Sequence, residues 1–202
     1  MKSAAVIALV LFAAFGAFGF GWRSWLQYRR TGSTGYRRIR GGITEWTAGA
    51  GFAVALMVSV SAPILQLCHV IAPLHALGAA WIQLAGVVIA LLGIVATVYA
   101  QLEMGDSWRI GVDQRETTAL VHTGVFGRVR NPIYTAMFTF GFGIALVTPN
   151  LVACAGFILL VVTIELQVRF VEEPHLTRTH GDAYRAYAAT VGRFVPGIGL
   201  IR

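Results

Sequence analysis

Five apolar runs decide which solvent this chain folds in. They cover about residues 4–21, 46–67, 78–101, 132–147 and 151–170. A helix rises about 1.5 Å per residue, so roughly 17 to 25 apolar residues cross about 30 Å of hydrocarbon. The chain is 56% apolar and only 12% charged, whereas soluble domains run nearer a quarter charged. The surface of a soluble domain of this size could not be covered with so few charges. The sequence predicts an all-α integral membrane bundle of about five transmembrane helices, with no separate soluble domain. The fourth run is barely long enough to span.

The charges set the expected orientation. The first run follows Lys2 and ends near Trp22 and Trp25, with no small-residue cleavage site before Arg23, so it reads as a span rather than a secretory signal. Ala13, Ala17 and Gly21 recur at four-residue spacing, which lets another helix approach closely. Loop 22–45 holds Arg23, Arg29, Arg30, Arg37, Arg38 and Arg40 against one acid. By the positive-inside rule it is cytoplasmic, and the link 68–77, with no Lys or Arg, is external. The N-terminus is then outside; the C-terminus and any site near it are cytoplasmic. The net charge of +7 follows from this flanking. Without aromatic-basic interleaving on a soluble face it excludes nucleic acid as a partner. Cys68 and Cys154 lie in or beside apolar spans, where core packing explains them without metal ligation or a disulfide.

The chain divides in composition after residue 101. The stretch 102–131 mixes Arg with acids, the spans 132–147 and 151–170 form a hairpin about Thr148-Pro149-Asn150, and the tail 171–202 is polar, with a short helix expected over 172–189. Two clusters could carry chemistry. Glu165, Arg169, Glu172 and Glu173 are spaced so that Glu165, Arg169 and one later acid share a helix face. Ionisable groups there mark a ligand site or, more plainly, a solvated ladder at the membrane exit. Arg128, Arg130, Asn131, Pro132 and Tyr134 precede the fourth span, with Pro132 in its first turn and Asn131 as its cap. Such a helix start offers free backbone N–H groups to an anion. Gly141-Phe142-Gly143 has no preceding strand and reads as close helix packing rather than a dinucleotide loop.

Taken in order, Met104-Gly105-Asp106-Ser107-Trp108, Leu120-Val121-His122-Thr123-Gly124-Val125-Phe126, Arg130-Asn131-Pro132-Ile133-Tyr134, Glu172-Glu173 with Leu176, and Gly181-Asp182-Ala183-Tyr184-Arg185-Ala186-Tyr187 before Pro196 form a specific series. The series resembles the isoprenylcysteine carboxyl methyltransferase family and its phospholipid methyltransferase relatives over about half the chain. The resemblance implies an S-adenosylmethionine-dependent enzyme, releasing S-adenosylhomocysteine. It assigns the cofactor to Thr118, Ala119, Leu120, Val121, Phe126, Arg130, Asn131, Pro132, Ile133, Tyr134 and Glu172. Asn131 stands where the family most often has His, and Phe126 where it has Tyr. Arg169 resembles the arginine that faces a substrate carboxylate, one residue nearer the acidic pair than usual.

On this reading a carboxylate acceptor needs no base, because it is ionised at neutral pH; Arg169 would orient it. An amine acceptor must lose a proton, with Glu173 or His122 as candidates. The expected acceptor is a lipophilic small molecule or prenylated peptide drawn from the bilayer among membrane lipids, with carboxyl O-methylation of an isoprenylcysteine-like substrate ahead of N-methylation of an amphiphilic amine. A transporter would place ionisable groups at mid-membrane. Here they crowd one end, which favours an interfacial enzyme over a conduction path or scaffold.

Overall fold

A computed structural model describes residues 2–36, 43–109 and 119–201, with the side chains of 44 and 45 also outside the description. Helix α1 (Lys2–Gly16) runs through a π-turn (Ala17–Trp22) into α2 (Arg23–Thr31). Then come α3 (Ile43–Leu67), α4 (Ala80–Glu103), α5 (Pro132–Val147) and α6 (Leu151–Gln167). A second π-turn (Val168–Glu172) joins α6 to α7 (Glu173–His180), and α8 (Asp182–Thr190) ends the helical part. The described residues form no sheet, only two isolated bridges. The all-α membrane bundle expected from the sequence is thus the fold. Among the described residues four helical stretches are long and apolar enough to cross a membrane: Lys2–Thr31, Trp46–Leu67, Ala80–Glu103 and Leu151–His180. The fifth, α5, has 16 residues and reaches about 24 Å, short of the hydrocarbon thickness.

Small residues hold the membrane-spanning part together, as expected where lipid removes the hydrophobic drive for helix association. Along α4, Gly86, Ala90 and Gly93 meet α5 backbone to backbone. A Cβ on Gly93 would fall 2.5 Å from the Phe140 nitrogen, and one on Gly143 2.5 Å from that of Ala90. Helix α3 meets α6 similarly: a Cβ on Gly156 would lie 2.6 Å from Ser59 Oγ, and Ala55 and Ala62 are fully buried. Gly143 therefore serves helix contact, as its apolar context predicts. Helix α1 turns Ala4, Ala8, Leu11 and Phe15 inward, with Phe15 stacked on Phe140 at 4.3 Å. The Ala13, Ala17 and Gly21 stripe expected to receive a helix is instead exposed, because the bulkier inward residues occupy the opposite side of the helix.

At one end of the bundle the turn 148–150 closes the α5–α6 hairpin. Asn150 caps α6 through Ala153 N (2.9 Å) and donates to Gln66 Oε1 (3.0 Å), while Pro149 O accepts from Leu74 N (2.6 Å). Cys154 is half-buried there, and Cys68, expected in the core, is exposed at the end of α3.

The opposite end gathers the polar residues, and here the sequence boundary at residue 22 is wrong. The helix continues to Thr31, because Arg23 is fully buried rather than solvated. Its guanidinium donates to Gln27 Oε1 (2.9 Å) and Gly105 O (2.7 Å) and lies over the Trp108 ring (4.6 Å). Gln27 in turn donates to Asp106 O (3.0 Å). Carbonyls of the Met104–Trp108 turn that follows α4 thus clamp α2 against it. Likewise α6 does not stop near residue 170. It continues through the π-turn as far as Gly181, whose positive φ of 54° ends α7. The helix expected over 172–189 is therefore broken into α7 and α8 at that glycine.

Candidate active site

The segment leading into α5 is tied to the tail. Arg130 N donates to Gly192 O (2.8 Å) and Asn131 N to Arg193 O (3.1 Å), while Val129 and Gly192 form a parallel bridge. Pro132 occupies the first turn of α5 as predicted. Asn131 does not cap that helix: its side-chain amide donates to Arg193 O (3.2 Å). The tail carbonyl competes for the group that would otherwise turn toward the helix N–H donors.

Beneath this strap lies a buried ion cluster. Glu173 accepts from Arg130 Nη2 (2.7 Å) and Arg193 Nε (2.8 Å) on one oxygen, and from Arg193 Nη2 (2.9 Å) on the other. Arg193 also reaches Glu165 (3.2 Å), and Arg130 donates to the carbonyls of Ala188 (3.0 Å), Val191 and Gly199 (2.9 Å). Hydrogen bonding to Glu173 holds the Arg193 guanidinium above its ordinary pKa. Removing one member of such a buried pair leaves an uncompensated charge, so the cluster fixes one arrangement of α5, α7 and the tail.

Glu172, one residue earlier, plays a different part. The π-turn delivers it toward α5, where Tyr134 Oη donates to its Oε1 at 2.5 Å and Gln167 Nε2 at 3.4 Å. Glu172 and Tyr134 line a cavity of about 540 Å³, within the range usual for small-molecule sites. Ala119, Leu120, Val121, Phe126, Arg130, Asn131, Pro132 and Ile133 share its wall, as does Glu173. Every cofactor residue named from the sequence lines this one cavity except Thr118, which lies outside the described residues. Near Phe126 the chain needs glycine: Gly124 has φ of 58°, and a Cβ there would sit 1.8 Å from Glu103 Oε2. Tyr187 Oη donates to Phe126 O (2.6 Å). Burial pushes the Tyr184 and Tyr187 phenols up to about 12, with the Glu173 charge adding to the effect at Tyr184. Both stay neutral at any physiological pH.

Two candidates for chemistry fall elsewhere. Arg169 is half exposed, paired with Glu165, and absent from the cavity wall. The π-turn is the reason: the 3.6-residue count that put Glu165, Arg169 and Glu172 on one face does not carry through a turn of wider period. The solvated i,i+4 pair is what forms. His122 is exposed and also outside the wall. Glu173, the other base candidate, has both oxygens committed to guanidiniums.

Sequence reasoning named Trp108 only within a motif and passed over Gln101, Gln167 and Arg193. Trp108, Gln101 and Gln167 line the cavity, and Arg193 organises the cluster below it. Gln101 could have been noticed as an uncharged polar residue closing an apolar span. A second, apolar cavity of about 230 Å³ adjoins the first, with Phe20, Phe52 and Met137 in the walls of both. Phe12, Phe15, Leu56 and Phe140 carry it between the membrane-spanning helices.

Comparison with known proteins gives two findings. The family model described as phospholipid methyltransferase matches residues 81–183, just over half the chain, from the start of α4 to the start of α8. No curated protein matches. The fold is similar to that of a eukaryotic intramembrane Ras methyltransferase, the isoprenylcysteine carboxyl methyltransferase ICMT, with a TM-score of 0.64 and 21% identity. That likeness covers 95% of this chain and 66% of the other, so this chain is the shorter of the two.

Proposed function

Because this chain belongs to the phospholipid methyltransferase family, we propose that it moves a methyl group from S-adenosylmethionine to the headgroup of a lipophilic acceptor taken from the bilayer. The observation that carries this reading is the convergence of 119–121, Phe126, 131–134 and Glu172 on one cavity that adjoins an apolar cavity between the spans. The residues fit the donor chemically. Glu172, oriented by Tyr134, would hold its ammonium, and Leu120, Phe126 and Pro132 offer an apolar surface to its adenine. The bound donor supplies an electrophilic methyl on a sulfonium. The chain's part is to bind, align and exclude water. The Arg130–Glu173–Arg193 cluster would support the site from below, with Glu173 as a positioning residue rather than a base.

An amphiphilic amine is the acceptor class the cavity supports best. Arg169, which favoured a carboxylate, pairs with Glu165 away from the cavity. Arg130 is committed to Glu173 and tail carbonyls. Among the described lining groups the buried side-chain atoms without a partner are an acceptor, Gln101 Oε1, and a donor, Arg130 Nε, and the second oxygen of Glu172 is a further open acceptor, so acceptors outnumber donors. An isoprenylcysteine-like carboxylate is the second reading, supported by the fold shared with ICMT. The cluster of arginines beside the cavity end supports a cytoplasmic site with the N-terminus outside.

The test is calorimetry of S-adenosylhomocysteine binding to detergent-purified protein, followed by methyl transfer to phosphatidylethanolamine and to a farnesylated cysteine derivative. Binding that Glu172→Ala abolishes, with transfer to the amine lipid, is expected. Folded protein that binds neither S-adenosylmethionine nor its product would defeat the reading.

A further inference from the structure

Gln101 closes α4 at the cavity and is 2% exposed. Its amide is not free to turn over. Nε2 donates to the carbonyl of Gly19 (2.9 Å), which lies in the first π-turn where the regular helical ladder is interrupted. That bond leaves Oε1 at the other end of the amide, buried and with no donor among the described residues. A buried acceptor without a donor is costly, and native folds rarely keep one without use. Its place tells which ligand would satisfy it. The residues assigned to the methyl donor come from 119–134 and Glu172. Gln101 is bonded instead to Gly19, the chain neighbour of Phe20, and Phe20 lines both this cavity and the apolar cavity between the spans. An acceptor whose chain occupies that cavity would bring its headgroup past Gln101.

Resting on the reading above, we propose that Gln101 Oε1 accepts an N–H from the acceptor headgroup and so aims the nitrogen lone pair at the methyl group. The headgroup ammonium first gives a proton to water, since only the neutral amine has a lone pair. That lone pair forms the new N–C bond while the C–S bond breaks, its electron pair staying on sulfur and the positive charge passing to nitrogen. A neutral primary or secondary amine still has an N–H for Gln101. A neutral tertiary amine has none, so its reaction gains nothing from this oxygen.

The experiment compares the protein with Gln101→Met on phosphatidylethanolamine and its N-monomethyl and N,N-dimethyl forms. S-adenosylhomocysteine affinity is measured calorimetrically for both proteins. Gln101→Met should lower kcat/KM on the first two lipids about tenfold and leave the third within about twofold. The affinity for S-adenosylhomocysteine should not change. Equal loss on all three lipids would mean a packing role and overturn the proposal. So would weakened S-adenosylhomocysteine binding in folded Gln101→Met, which would move Gln101 to the donor wall. If the unmutated protein binds S-adenosylhomocysteine but methylates none of the three lipids, the Gln101 assignment fails while the methyltransferase reading stands. If it does not bind, both fail. Should Gln101→Met not fold, Gln101→Asn, which draws the oxygen back by one carbon, is measured in the same way.

Discussion

The middle of the bundle and its cavity end are held by opposite means. In the middle, α4 meets α5 and α3 meets α6 through glycine, alanine and serine, with backbone almost touching backbone. At the cavity end Arg130, Glu173 and Arg193 hold α5, α7 and the tail through charged hydrogen bonds, and Arg23 clamps α2 to the turn after α4. The difference follows from what each region can exchange with its surroundings. Between helices in lipid, close fit is the main source of association, and a polar group must find its partner inside the protein. At the end of the bundle the chain has irregular backbone with unpaired carbonyls, and buried guanidiniums with five donors each can satisfy several at once. Shape thus holds the scaffold, and directional bonds hold the site.

Four substitutions probe this division. Glu173→Ala should have the largest effect, because it leaves Arg130 and Arg193 buried without their shared carboxylate. The expected loss is about 3–5 kcal/mol, read as a large drop in the melting temperature in detergent. A Glu173→Ala protein of unchanged stability would mean that the cluster does not organise this end. Gly93→Ala comes next. Its methyl would meet the Phe140 backbone, and overpacking of that kind costs about 1–3 kcal/mol. Because α5 carries Asn131 to Tyr134, ligand affinity should fall with stability.

Glu172→Gln should separate binding from folding. Its carboxylate is outside the ion cluster, so the melting temperature should hold while S-adenosylhomocysteine affinity falls about tenfold or more. A protein that melts early but still binds would reverse the roles given to the two adjacent glutamates. Arg169→Ala should do least, under about 1 kcal/mol, since its pair with Glu165 is largely solvated. A large loss of turnover in Arg169→Ala, with donor binding intact, would bring Arg169 back to the acceptor and favour the carboxylate reading.

The elements legible in the sequence were those that depend on one segment at a time. The apolar runs located the four long helices and the shorter α5, though not where the first and last end. The Thr148-Pro149-Asn150 turn announced its hairpin, and the ordered motifs from 119 to 134 named residues that come to line one cavity. Arg23 escaped notice because a positive charge beside an apolar run is normally solvated. Here it is buried by groups about 80 positions away, at Gly105 and Trp108. Arg193 gave no signal, and Gln101 only that of a polar residue closing an apolar span. Each matters through a partner on another element, Glu173 for one and Gly19 for the other.

The sequence by itself determined the solvent, the all-α class and the family, because hydrophobic length and ordered motifs are properties read along the chain. Only the tertiary structure decided which acid of the Glu172-Glu173 pair keeps an oxygen free at the cavity, which arginine stays outside it, and which amide oxygen is left without a donor. The reason is the π-turn at each end of the polar region, Ala17–Trp22 and Val168–Glu172. Each changes the rotation per residue, so a face counted in steps of 3.6 before the turn no longer predicts the face after it.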